Sequence, residues 1–175
     1  MPAIKRPYGP TLARLAAAFM TLALAAALSC AKKSDKFTLE AGTSGEDELP
    51  VEALRVDELA KAYDGDPATR WSTNCPQRPW FYLSIELPQP RKVSGIILDA
   101  RPTIYDFPHN FVVEVSRKGG PLTEVLRGDK RLTRKGVTTI TFNPPVDADR
   151  ILITLTQGQP RFYWSIYEMK VVYAD

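Results

Sequence analysis

The chain has almost no histidine and very little cysteine. His109 is the single histidine among 175 residues, which excludes a zinc centre built on two or three imidazoles. A serine triad would have to rest on that same residue, and no Gly-x-Ser-x-Gly elbow is present to hold its nucleophile. Two cysteines, Cys30 and Cys75, cannot form a disulfide framework. Net charge is small too, with 23 bases against 20 acids. Apolar runs are short: the longest, Leu15 to Leu28, falls below the roughly 20 residues that cross a hydrocarbon core. The 15 prolines disfavour a fold of long helices.

The run that does exist has a recognisable setting. Lys5, Arg6 and Arg14 give it a basic start without an acid, and Ala27-Leu28-Ser29-Cys30 closes it. This resembles a bacterial lipoprotein signal, with residues 1–29 as leader and a small residue before the cysteine; a transmembrane anchor is the alternative. The resemblance implies acylation of Cys30, and Ala31 in place of aspartate points to the outer membrane, periplasmic or surface face. Acyl chains would hold the protein there, since each buried CH₂ contributes about 0.8 kcal/mol. Losing the leader removes three bases and leaves 20 against 20, so no overall basic footprint for nucleic acid is expected. Residues 30–50 are polar and are expected to be a tether with a reach of roughly 25 Å. Cys75 then has no partner within the chain and is expected to be a small, partly buried loop residue.

From residue 51 the hydrophobic period becomes two. Phe81, Leu83, Ile85 and Leu87 alternate with Tyr82, Ser84 and Glu86, the pattern of a half-buried strand. Val93 to Ala100 is more continuous, as in a strand covered on both sides. Phe111, Val113 and Val115 alternate again, as do Ile151, Ile153 and Leu155. Arg117 to Pro121 and Asn143-Pro144-Pro145 are expected to be turns between them. Short strands separated by Gly and Pro indicate an all-β sandwich or barrel over residues 51–175, with one helical turn at Val56 to Lys61.

Four stretches in order, AYDGDPATRW, PWFYLSIELPQPRKVSGIIL, FPHNFVVEVSRKGG and DRILITLTQ with YWSIYEMKVV, resemble the coagulation factor V/VIII C-type (discoidin) domain. The resemblance implies a galactose-binding-domain-like jelly-roll β-sandwich, similar to family 32 carbohydrate-binding modules. Trp71 and Trp164 lie inside those stretches, where a large indole beside a turn is expected in the core, and Trp80, ahead of the alternating strand, is expected there as well.

YDGDPATRW is rich in oxygen. Ca²⁺ takes six to eight oxygen ligands, and Asp64, Asp66 and Thr69 offer three side chains in six positions. A calcium hand is excluded, because the twelfth position is Cys75 or Gln77. The resemblance implies a structural Ca²⁺ held by Asp64, Thr69 and Glu168, with Asp66 adding a carbonyl or carboxylate. A metal-free Asx-turn is the alternative.

Sugars require an aromatic face and planar polar groups that converge. Three segments offer them: 72–78 with Asn74, Gln77 and Arg78; 101–109 with Arg101, Tyr105, Asp106 and His109; and 157–163 with Arg161, Phe162 and Tyr163. The resemblance implies Arg101 for hydroxyls and Phe162 for stacking, supported by Tyr105 and Arg161, with His109 as a further hydroxyl contact. No pair of carboxylates stands at a defined separation for glycoside hydrolysis. The expectation is therefore a non-catalytic outer-membrane lipoprotein that binds a cell-envelope or extracellular glycan. An adaptor for other envelope proteins, with a degenerate sugar site, is the alternative.

Overall fold

The computed structural model describes residues 37–44 and 51–175, with no side-chain account of residues 51 and 52. The leader expected over 1–29 and the acylated Cys30 lie outside the described residues.

Nine strands follow in order: β1 (Thr38–Thr43), β2 (Trp71–Ser72), β3 (Phe81–Asp99), β4 (Asn110–Ser116), β5 (Thr123–Asp129), β6 (Thr133–Arg134), β7 (Val137–Leu155), β8 (Ser165–Ile166) and β9 (Glu168–Tyr173). A 3-10 turn at Val56–Ala62 answers the helical segment expected there. One antiparallel sheet runs β1-β3-β7-β4-β5, with β9 on β3 and β6 on β7; β2 and β8 form a separate pair.

The long strands β3 and β7 make a sandwich of this sheet. Their mutual register breaks between Glu86 and Arg91 and again between Val93 and Gly95, so each is two half-strands joined at a bend. The first half of β3 pairs with β1 and the second half with β9. Phe81, Leu83 and Ile85 from one half and Ile96, Leu98 and Met169 from the other side belong to a single core. The sheet is thus folded on itself into two layers, the all-β sandwich that the alternating segments imply. At the bend Gly95 passes so close to β7 that a Cβ there would run into the Ile140 carbonyl.

Trp71 and Trp164, both fully buried, meet edge to face at 5.8 Å. Burial would be costly for an unpaired indole N–H, and Trp71 Nε1 donates to the Leu54 carbonyl at 2.7 Å.

Four boundaries differ from expectation. Thr38–Thr43, assigned to the tether, is a strand paired to β3 from Thr38 opposite Glu86 to Thr43 opposite Phe81; Leu39 and Ala41 turn inward while Thr38 and Glu40 face out. Trp80 is 54% exposed and not core, because it sits in the turn ahead of β3 with a φ of 70°, outside the alternation of the strand. Asn143-Pro144-Pro145 lies inside β7, where the pairing skips from Thr141 to Val146. The second half of β3 is covered mainly on one face, with Ile97 and Asp99 only half-buried.

One end of the sandwich gathers the three segments with ligand-type composition, and Gln77 joins them. Its side chain is 2% exposed. Nε2 donates to the carbonyls of Phe107 and Tyr163 at 2.8 and 2.7 Å, and Oε1 accepts from the His109 amide at 3.3 Å. Its backbone N–H donates to Phe162 and its carbonyl accepts from Gln159. Asp106 adds a second tie, accepting from the Tyr163 amide and the Ser165 hydroxyl.

Removing the Gln77 amide would orphan three part-buried backbone groups. Gln77→Ala should cost about 2–4 kcal/mol in urea unfolding. Gln77→Glu keeps the volume but aims an oxygen at two carbonyls, so it should cost as much at neutral pH and recover partly in acid. A loss below about 1 kcal/mol for both variants would show that the three segments hold without this clasp.

Candidate functional site

The clasp places aromatic rings from two loops side by side. Phe107 and His109 stack at 4.4 Å with planes 3° apart. His109 and Phe162 follow at 5.6 Å and 11°, and Phe162 and Tyr105 at 5.4 Å and 22°. Four near-parallel rings result, and offset stacking of this kind contributes about 0.5–1.5 kcal/mol per pair beyond burial. His109 Nε2 lies 3.2 Å from the Tyr105 carbonyl, which fixes the imidazole in its plane.

Tyr105, Phe162 and His109 are therefore brought together as expected of a binding cluster, with their roles redistributed. Phe162 is half-buried and already contacted by two rings, whereas Tyr105 is 59% exposed. The open aromatic face belongs to Tyr105, and Phe162 supports it. Phe107 was not anticipated; its only trace in the sequence is an apolar residue inside a polar loop.

The arginines separate. All the side-chain hydrogen bonds of Arg101 go to Asp99, with Nε at 2.9 and 3.1 Å from the two oxygens and Nη2 on Oδ2. The guanidinium holds the Asp99 carboxyl below the usual range, an effect that outweighs its partial burial. Arg101 packs beside Gly136 on the β6–β7 turn, with its guanidinium closed on Asp99. Arg161, next to Phe162, is exposed and has no hydrogen-bond or ion-pair partner among the described residues. Gln77, a ligand candidate by composition, is spent on the loops. Trp80 sits at the same end, its N–H donating to the Leu155 carbonyl at 2.7 Å.

The YDGDPATRW turn is built as two successive Asx-turns. Asp66 N–H donates to Asp64 Oδ1 and Ala68 N–H to Asp66 Oδ1, both at 2.9 Å. The Thr69 hydroxyl lies 2.8 Å from Asp64 Oδ2 and 3.1 Å from the Asp66 carbonyl. These bonds, the Asp66 amide first and the Thr69 hydroxyl second, hold the Asp64 carboxyl below its ordinary range.

Glu168 opens β9, where it pairs with Asp99 of β3, two residues after Ile166, the β8 partner of Trp71. Arg70 Nη1 bonds the Tyr167 hydroxyl at 3.2 Å, which holds that flank. Glu168 Oε1 is buried without a hydrogen-bond partner, and a carboxylate oxygen in that state is costly. Among the described residues no three His, Cys, Asp or Glu side chains are arranged to hold a metal ion. The three carboxylates thus do not converge as a set, and a cation here would draw on carbonyls and the Thr69 hydroxyl beside Glu168. The orphaned oxygen and the hard oxygen donors fit Ca²⁺ in kind.

The other end of β4 has a groove lined by Glu86, Ser116, Gly119, Gly120, Asp149 and Arg150. Its charges are mutually satisfied: Arg150 Nε lies 2.9 Å from Glu86, and the Lys118 amide donates to Asp149 at 2.8 Å. It offers no ring.

Solved structures of this architecture include carbohydrate-binding modules. The family 32 module of Clostridium perfringens NanJ, in complex with galactose, is 28% identical, with a TM-score of 0.58 over 77% of this chain and 92% of that one. A second Clostridium perfringens module, in complex with GalNAc-β-1,3-galactose, is 17% identical with a TM-score of 0.57, covering 78% of this chain and 94% of its own. Chitosan-binding module 1 of a chitosanase/glucanase from Paenibacillus sp. IK-5 is 21% identical with a TM-score of 0.55, covering 77% and 92%. No curated protein matches the chain. The F5/8 type C domain model matches residues 43–169, and the chain belongs to that family.

Proposed function

We propose that this protein is a non-catalytic carbohydrate-binding lipoprotein that recognises a cell-envelope or extracellular glycan through the ring cluster. The observation that carries this reading is the outward face of Tyr105, backed by Phe162 and His109 and held by the Gln77 clasp. A sugar presents C–H groups to such a face and hydroxyls to its rim, where Arg161, His109 and Tyr163 stand. The likeness to a module solved with galactose supports the ligand class. Sandwich-end loops on a rigid scaffold are where recognition groups collect.

Acylation of Cys30 would attach the domain to the outer membrane. Cells fed labelled fatty acid should mark the wild-type protein and leave Cys30→Ser unmarked; equal labelling of both would remove the lipoprotein reading.

A structural Ca²⁺ at the YDGDPATRW turn belongs to the same proposal, with Glu168 supplying the carboxylate, Thr69 its hydroxyl, and Asp64 and Asp66 their oxygens. It would brace the turn beside Trp71 and neutralise the orphaned oxygen. Binding only the folded state at a hundred times Kd adds about 2.7 kcal/mol. A chelator should therefore lower the melting temperature of the wild type. Glu168→Gln should melt higher than the wild type in chelator and ignore added calcium. Identical wild-type curves with and without chelator would count against the ion.

On a glycan array the full-length protein should be retained on a subset of saccharides. Tyr105→Ala should lose about tenfold or more in affinity, as expected for an aromatic hot spot, with an unchanged melting temperature. Phe162→Ala should lose binding together with some stability, since it supports two rings. Absence of any signal for the wild type would favour the adaptor alternative.

A further inference from the structure

The loops around the rings carry an unbalanced charge. Segments 72–80, 100–109, 130–136 and 156–163 hold seven bases, Arg78, Arg101, Lys130, Arg131, Arg134, Lys135 and Arg161, against the single acid Asp106. The chain as a whole is nearly balanced, so this end is set apart. The segments are neighbours: the Ala100 amide donates to the Gly136 carbonyl at 2.9 Å, and Asn110 pairs with Asp129 where the basic stretch begins.

The nearby carboxylates do not answer those bases one for one. Asp99 is taken by Arg101, Asp129 by the Arg131 side chain and amide, and Asp106 by Ser165 and Tyr163. Arg78, Arg134, Lys135 and Arg161 are exposed, and their side chains have no hydrogen-bond or ion-pair partner among the described residues. They stand on both sides of loop 100–109, two on the turn packed against Ile104 and two beside the ring cluster.

Trp80 adds a second exposed ring to this end. A bulky residue with φ of 70° is a backbone outlier, and strain of this kind collects at binding sites. Two backbone hydrogen bonds hold it there, from its N–H to Leu155 and from Ser44 to its carbonyl. It lies three positions after Gln77, so its Cα is within about 11 Å of the Gln77 Cα.

From this arrangement we infer that the ligand is an anionic polysaccharide, carrying uronate or sulfate groups, laid across the loop end from Tyr105 towards Trp80. The rings take the sugar faces, and Arg78, Arg134, Lys135 and Arg161 take the acid groups. A neutral sugar would leave four solvated charges without a role, whereas regularly spaced anions meet them on both flanks of the ring cluster. The inference rests on the glycan reading above and specifies its chemical class.

The test measures binding of the full-length protein to polygalacturonate, a sulfated galactan and a neutral galactan of matched length, at low salt and at about 1 M salt, where screening reaches roughly 3 Å. At least one acidic polymer should bind about tenfold tighter than the neutral one at low salt, a difference of about 1.4 kcal/mol, and lose that advantage at high salt. The polymer that binds identifies the anion. The double variants Arg78→Gln with Arg161→Gln, and Arg134→Gln with Lys135→Gln, should each weaken acidic binding several-fold, and the second pair, on the β6–β7 turn and apart from the sugar rim, should leave neutral binding within twofold. Lys118→Gln, at the other end of β4, should change neither. Trp80→Ala should weaken long acidic chains and spare a disaccharide. Equal binding of acidic and neutral polymers, insensitive to salt, would overturn this inference and keep the glycan reading. No binding to any polymer would overturn both, as would capture only by phosphatidylglycerol vesicles.

Discussion

The ring cluster at the loop end of the sandwich depends on one buried amide. From its own loop Gln77 reaches two others that are distant in sequence and joins the three through groups that only a carboxamide can supply together, two donors and an acceptor. Buried at the centre of a loop cluster, it replaces water as the partner of three backbone groups. Loops tied in this way can hold rings in register without burying them. That is what a recognition surface requires: order established before the ligand arrives, so that little entropy is lost on binding.

The sandwich supplies the rest of the frame. β3 and β7 each bend once and pass through both layers, so β4, β7 and the first half of β3 deliver their loops to the same end. The core tryptophans Trp71 and Trp164 lie directly beneath the segments that flank the clasp, and the Thr73 hydroxyl accepts from the Trp164 amide at 3.0 Å. Stability and recognition are thus layered: packed indoles below, hydrogen-bonded loops above, rings and charges at the rim. The opposite end, where Glu86 and Arg150 satisfy each other, has no such layering.

Period-two alternation made much of this legible from sequence. Phe81, Leu83, Ile85, Phe111, Val113, Ile151 and Ile153 are all buried as their parity demands, because a strand offers only two faces. Trp80 lies in the turn just outside that alternation, where parity decides nothing, and the prior that indoles are buried misplaced it. Thr38–Thr43 was obscured by length, as six residues in a polar setting give a weak periodic signal. The ring cluster was legible as composition and not as geometry: Tyr105, His109 and Phe162 were candidates, but which ring faces outward depends on contacts between loops. Arg101 shows the same gap, since its partner Asp99 sits two residues away and only coordinates show the pair closed. The role of Gln77 was invisible, because a glutamine that binds ligand and one that binds backbone look alike in sequence.

The most direct measurement is a crystal structure of the protein with the saccharide that binds it best. The account predicts a sugar ring over Tyr105, acid groups or hydroxyls at Arg161, the Gln77 hydrogen bonds intact, and loop backbones shifted by less than about 1 Å. A saccharide seated away from the rings, as in the groove at Gly119 and Gly120, or loops rebuilt with the Gln77 bonds broken, would contradict it.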